Sequence, residues 1–197
     1  AFSRGWLENE SIWLHMEYKY LLEVLRSGLY KEFYSEFKNI LVCFQDPKRY
    51  GRSILENSSF IASSVFLDKN LVGTGFVARL SGSTAEFLHI WRIITAGENP
   101  FFLNNSNELN LRFAPLLAGW LFRQDGTFSF NFLGSIRVTY HNPKRKNTFG
   151  QNAAVIKKIL INHKDGSSTK LSSDTIPRRF AEQIRSRLIQ QIDIFLN

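Results

Sequence analysis

The stretch Thr127-Phe128-Ser129-Phe130-Asn131-Phe132-Leu133-Gly134-Ser135-Ile136-Arg137-Val138-Thr139-Tyr140 decides the fold class. Phe128, Phe130 and Phe132 alternate with hydroxyl and amide residues, and Ile136, Val138 and Tyr140 do so again after the Leu133-Gly134 pair. A period of two places one residue in two on the same face of a strand, so the pattern predicts a hairpin over 127–140 with one buried face. Val155 to Ile161 reads as a further strand, and Asp165-Gly166 as the turn into a short return strand. The last segment spaces Phe180, Ile184, Leu188 and Ile192 four apart behind Pro177, with Asp174 or Thr175 as cap, which predicts a helix over 177–195.

Upstream the period lengthens. Ile12, Trp13, Met16, Tyr20 and Val24 recur at helical spacing up to Gly28. Tyr30, Phe33, Phe37, Ile40 and Leu41 predict a second amphipathic helix, ended by Asp46-Pro47. Residues 48–75 read as a loop with some helix, centred on Ser58 to Val65. Phe87, Leu88, Trp91 and Ile94 predict a helix that stops at Gly97. A helical part over 1–108 followed by a β part over 109–197 makes the chain α+β, the pattern breaking at Asn104 to Glu108.

Composition bounds the function. The 197 residues are 44% apolar and include 18 Phe, enough for a core. No run approaches the roughly 20 apolar residues of a membrane span, and no secretion signal opens the chain. The one cysteine, Cys43, permits no internal disulfide, suits a reducing cytoplasm, and lies in an apolar run where a buried, inert thiol is expected. Charge is uneven. Residues 1–112 hold 12 Lys and Arg against 12 Asp and Glu, while residues 113–197 hold 13 against 5 and carry the whole net charge of +8. The clusters Lys144-Arg145-Lys146, Lys157-Lys158 and Arg178-Arg179 read as a solvated basic face, since no nucleic-acid motif accompanies them. No nucleotide loop and no histidine pair at metal-ligand spacing is present, so no cofactor is expected. His15 and His89 read as structural.

The residues that point to chemistry are Arg79-Leu80-Ser81-Gly82-Ser83-Thr84, at the mouth of the helix that ends before Gly97. A helix start has unpaired N–H groups and a partial positive charge, and hydroxyls with a glycine among them suit a phosphate or sulfate. The same residues also serve as plain helix caps.

Three longer stretches carry a family resemblance: Gly5-Trp6-Leu7-Glu8-Asn9-Glu10-Ser11-Ile12-Trp13, Arg49-Tyr50-Gly51-Arg52-Ser53-Ile54-Leu55-Glu56-Asn57-Ser58-Ser59-Phe60 and Gly75-Phe76-Val77-Ala78-Arg79-Leu80-Ser81-Gly82-Ser83-Thr84-Ala85. With Phe132-Leu133-Gly134 and Val138-Thr139-Tyr140-His141-Asn142-Pro143, they resemble the C-terminal part of the inverting glycoside phosphorylases related to cellobiose phosphorylase (glycoside hydrolase family ninety-four). The branch most resembled acts on β-1,2-linked oligoglucans. The resemblance implies the last helices of an (α/α)6 barrel over 1–108, then a small antiparallel, jelly-roll-like β-sandwich over 109–197, with the rest of the barrel upstream. It implies a reaction in which inorganic phosphate, a co-substrate rather than a cofactor, releases α-glucose 1-phosphate from a β-glucan with inversion.

Under that resemblance Ser81-Gly82 matches the family's Thr-Gly phosphate pair, with Ser83 beside it. Asn9 falls where the family has a histidine, and Arg79 is the nearby cation. Arg52, Glu56 and Asn57 become sugar contacts, and Trp6 or Trp13 either stacks on a pyranose or belongs to the core. The resemblance also implies a single catalytic Asp well upstream, and none of Asp46, Asp68, Asp125, Asp165, Asp174 and Asp193, which read as turn, cap or exposed carboxylates, matches that motif. Partners are then a β-glucan and phosphate, with no membrane and no nucleic acid. A non-catalytic carbohydrate-binding module and a basic nucleic-acid-binding or scaffolding protein are the competing readings.

Overall fold

The computed structural model describes residues 2–77 and 82–197. The chain divides into two compact units, Ala1–Trp91 and Arg92–Asn197, the division falling inside one helix.

In the first unit β1 (Ile12–Trp13) leads into α1 (Leu14–Arg26), and α2 (Tyr30–Ile40) follows after a short turn. Both helices are amphipathic. Leu14, Tyr18, Leu21, Leu22 and Leu25 of α1 are buried, as are Phe33 and Phe37 of α2. Each such side chain contributes about 1.5–3 kcal/mol by leaving water. Asp46-Pro47 does not end α2, which stops at Ile40. It opens α3 (Pro47–Tyr50), where Asp46 accepts from the backbone N–H of Lys48 and Pro47 fills the first helical position. The region centred on Ser58 to Val65 holds strand rather than helix. Here β2 (Phe60–Ile61) pairs antiparallel with both β1 and β3 (Gly75–Phe76).

Two buried tyrosines fasten this unit. Tyr18 donates to Asn57 Oδ1 at 3.0 Å and accepts from the Val42 N–H at 3.0 Å. Tyr50 donates to the Glu56 carbonyl at 2.7 Å and accepts from the Ser58 N–H at 2.9 Å. Then α4 (Gly82–Ala96) starts, with Ile90, Ile93 and Ile94 buried. It ends as its sequence predicts, Gly97 adopting φ +94°.

In the second unit β4 (Phe101–Leu103) and β5 (Leu109–Arg112) form a hairpin whose turn is the Asn104 to Glu108 stretch. The expected hairpin follows as β6 (Thr127–Phe132) and β7 (Ile136–His141), in the register Phe128 to Tyr140 and Phe130 to Val138. Leu133 and Gly134 take φ of 49° and 78° at the turn. The expected strand is β8 (Ile156–His163), and the short return strand is β9 (Ser168–Leu171). A two-residue β10 (Thr175–Ile176) joins β5, so Thr175 is strand rather than cap.

The end of the chain departs from expectation. A helix forms only over α5 (Arg178–Arg185), and Ile189–Leu196 is the strand β11. A spacing of four fits a helix and, as twice two, a strand as well. Ile192, Ile194 and Leu196 are buried at strand period, and Arg187 at φ 59° breaks the helix. In the five-stranded sheet, ordered β6-β7-β11-β8-β9, β11 lies parallel to β7 and antiparallel to β8.

These elements overturn the expected architecture. Among the described residues five helices, the longest of 15 residues, are interleaved with eleven strands in three sheets. That is a mixed α+β chain, not the end of an (α/α)6 barrel, and β1 stands inside the span 12–25 expected to be wholly helical. The second unit is not an antiparallel jelly-roll either, because its central pair β7–β11 is parallel. The physical reason is length. Strands of two to four residues give no periodicity to read, so the helical signals of α1, α2 and α4 dominate the text of the first half.

Candidate functional site

The first turn of α4 gathers the most polar chemistry in the first unit. Ser81 and Arg79 lie outside the described residues. Gly82 is the first residue of α4, and the ring of His15 fills the space beside it. A Cβ built on Gly82 would stand 2.4 Å from His15 Nδ1. With the ring in this position a Cβ at residue 82 has no room, and a Gly82→Val change would have to displace His15.

Ser83, next along, is only 1% exposed, and its Oγ has no hydrogen-bond partner among the described residues. A buried, unsatisfied hydroxyl costs roughly 1–3 kcal/mol, so the position calls for an explanation. Thr84 Oγ1 accepts from Asn57 Nδ2 at 3.1 Å, and Asn57 in turn holds the buried Tyr18 hydroxyl. Burial lifts the Tyr18 pKa well above the usual tyrosine range, so this phenol stays a donor.

A charged chain runs on from His15. Its Nε2 lies 3.4 Å from Glu86 Oε1, and Glu86 Oε2 lies 3.9 Å from His89 Nδ1. Arg26 Nη2 reaches His89 Nε2 at 3.0 Å and its Nη1 pairs with Glu23 at 2.9 Å. A guanidinium has only donors, so His89 Nε2 accepts and its proton sits on Nδ1, toward Glu86. Glu86 is thus flanked by two imidazoles, one of which abuts the start of α4.

The other expected site residues are placed differently. Asn57 is brought to α4 through Thr84. Asn9 donates from Nδ2 to the Phe2 carbonyl at 2.8 Å, within its own loop. Arg52 and Glu56 pair with each other at 2.9 Å. Trp6 stacks on Phe66 and Phe76, at 4.8 and 3.9 Å between centroids, which answers for it as a packed side chain. Trp13 meets the edge of Phe60 and is 39% exposed. Cys43 is exposed, not buried, although desolvation by its apolar surroundings still holds its thiol above the usual range.

Four aspartates act as expected: Asp46, Asp68, Asp125 and Asp165 each accept from a backbone N–H two residues on. Hydrogen bonds from Thr127 and Ser167 hold Asp125 and Asp165 below the usual carboxylate range, the wrong direction for an acid at neutral pH. Asp174 accepts from the Thr175 hydroxyl. Asp193 is the exception. It is buried in the five-stranded sheet, with Oδ1 2.9 Å from His141 Nε2 and Oδ2 accepting from Asn162 and Gln191 at 2.9 Å each.

Sequence reasoning missed the His15–Glu86–His89–Arg26 chain. Its one local trace is the spacing of Glu86 and His89, three apart on a helix. The approach of His15 across 71 residues leaves no mark in the text.

Among the described residues no helix is long and apolar enough to cross a membrane, and no cluster of His, Cys, Asp and Glu forms a metal site. No protein-family model matches the chain, and a search of curated proteins returns no match either.

Proposed function

We propose that the chain is part of a cytoplasmic, phosphate-dependent β-glucan phosphorylase and contributes its phosphate site at the start of α4. The observation that carries this reading is the first turn itself, where the buried Ser83 hydroxyl has no hydrogen-bond partner among the described residues and His15 stands against Gly82. A helix start offers N–H groups and partial positive charge to an oxyanion. The imidazole of His15 puts a ring nitrogen beside Gly82, where Asn9, bonded to the Phe2 carbonyl, puts nothing.

The resemblance in sequence supplies the reaction class: phosphate attacks the anomeric carbon of a β-1,2-linked glucan and α-glucose 1-phosphate leaves with inversion. The aspartates of this chain are capped, turn-bound or buried in a satisfied cluster, so the general acid is assigned to chain outside these residues. General acid catalysis is worth about a hundred- to ten-thousand-fold in rate, and the chain alone should release no glucose 1-phosphate from β-1,2-oligoglucans.

The test is an NMR titration of the labelled chain with inorganic phosphate. Shifts centred on the amides of Gly82, Ser83 and Thr84 are expected. Shifts at Lys144 to Lys146 alone, or none, would defeat the reading and leave the Ser-Gly-Ser-Thr stretch a helix cap.

A further inference from the structure

Two loops of the second unit are locked against each other, and together they present a run of unpaired cations beside an exposed indole. One is Gly119-Trp120-Leu121-Phe122-Arg123-Gln124-Asp125-Gly126, the other Asn142-Pro143-Lys144-Arg145-Lys146-Asn147. Both glycines are points of contact. A Cβ on Gly126 would stand 2.7 Å from the Asn142 carbonyl oxygen, and one on Gly119 would run into the Arg145 carbonyl. Asn142 is fully buried and closes the basic loop from inside. Its Nδ2 donates to the Lys146 carbonyl at 2.8 Å, and its carbonyl accepts from the Arg145 N–H at 2.9 Å. Its own N–H donates to the Gly126 carbonyl at 2.8 Å, and Asn147 Oδ1 accepts from the Gly119 N–H at 2.8 Å. Within this frame Arg145 sits at φ 48°, a left-handed conformation that a non-glycine residue keeps only where its surroundings impose it.

The frame therefore fixes where the charges stand. Lys144 and Arg145 are exposed, and among the described residues no ion pair engages Lys144, Arg145 or Lys146. Arg123 on the facing loop adds a further cation. The one carboxylate of the two loops, Asp125, accepts from the Thr127 N–H and hydroxyl at 2.9 and 2.7 Å. Such a balance attracts an anion, and consecutive cations in one loop suit an anion whose charges repeat along a chain. Trp120 follows the Gly119 contact directly and is 40% exposed. An exposed indole next to cations can stack on an unpaired base while the flanking phosphates are neutralised. A lipid surface calls for an amphipathic helix or several apolar anchors, whereas Trp120 is the one large apolar side chain that these loops leave exposed.

We propose that this surface binds single-stranded nucleic acid, with Trp120 stacked on a base and Lys144, Arg145, Lys146 and Arg123 on the phosphates around it. The sequence displays the basic run without its neighbour, because Trp120 and Lys144 to Lys146 are brought together only by the two glycine contacts. The surface shares no residue with the start of α4, so its test and that of the phosphate site are independent.

The experiment follows the fluorescence anisotropy of a labelled oligo(dT) of about 12 nucleotides on titration with the full chain. Binding is expected, with log K falling linearly against log salt over roughly 50–200 mM. Replacing the loop cations together (Lys144→Gln, Arg145→Gln and Lys146→Gln) should make that dependence shallower by about 2, at about 0.7 per phosphate contact on a single strand. Trp120→Ala should weaken binding roughly 5- to 150-fold with the salt dependence unchanged. Trp120→Phe, which keeps a ring in place and the loop packed, should recover most of that loss. Four results would each overturn the proposal: no binding in low salt, a parental salt dependence in the triple variant, parental affinity in Trp120→Ala, or tighter binding of a duplex of the same length or of phosphatidylserine vesicles.

Discussion

Two polar clusters, one in each unit, have opposite accounts of their buried groups. Around Asp193 every buried partner is satisfied: one carboxylate takes His141, Asn162 and Gln191, and the His141 ring stacks on Phe195 at 4.4 Å. At the start of α4 the buried Ser83 hydroxyl finds no partner among the described residues, and a glycine makes room for a histidine. A closed network holds strands in register and has no capacity left for a ligand. An open one has a cost that something else must offset. The comparison gives the first a structural role and leaves the second as the place of the proposed phosphate site.

The largest expected effect tests the closed network. Asp193→Ala strands three donors, one each on β7, β8 and the central β11, and should cost about 2–4 kcal/mol in urea unfolding monitored in the second unit. It should leave phosphate shifts at α4 unchanged. A loss of less than about 1 kcal/mol would mean that the cluster is not holding β7, β11 and β8 together.

Next is Tyr18→Phe, which removes the hydroxyl shared by Asn57 and the Val42 N–H. The expected loss is about 1–3 kcal/mol, with faster hydrogen exchange in the first turn of α4 because Asn57 also holds Thr84. Unchanged exchange there would uncouple the tyrosine from the site.

The smallest is a pH slope. The folded pKa of Glu17 lies above its ordinary value of 4.5, so above that value the folded chain holds more protons than the unfolded one. Stability then falls as pH rises from 4.5 through the folded pKa. Glu17→Gln should flatten that part of the stability profile and be slightly more stable than the parent at neutral pH. A parent curve that rises over the same range would contradict this.

How much of this was legible follows from what each signal averages over. The β6–β7 hairpin, β8, β9, α1, α2 and the end of α4 are runs long enough for periodicity to speak, and the structure has each of them, with α1 starting only at Leu14 and α2 stopping already at Ile40. The two-residue strands β1, β2, β3 and β10 are held by partners far along the chain, so local text is silent about them. The segment from Phe180 to Ile192 misled because a spacing of four serves both periods. At the site, Gly82, Ser83 and Asn57 were visible as types, whereas His15 and Glu86 meet only through the fold. Asp46-Pro47 reads in the sequence as a stop, and the Lys48 hydrogen bond shows it to be a start.

The measurement that bears most directly on the central claim is Ser83→Ala, assayed for stability and for phosphate affinity on the same chain. If the hydroxyl is kept unsatisfied for a ligand, removing it relieves an unpaired buried group. The variant should then be as stable as the parent or more stable by up to about 1 kcal/mol, while phosphate binding at α4 weakens about tenfold or more. A variant that is less stable by 1 kcal/mol or more and binds phosphate as the parent does would make Ser83 an ordinary structural residue. The distinction between the open cluster and the closed one would then fail.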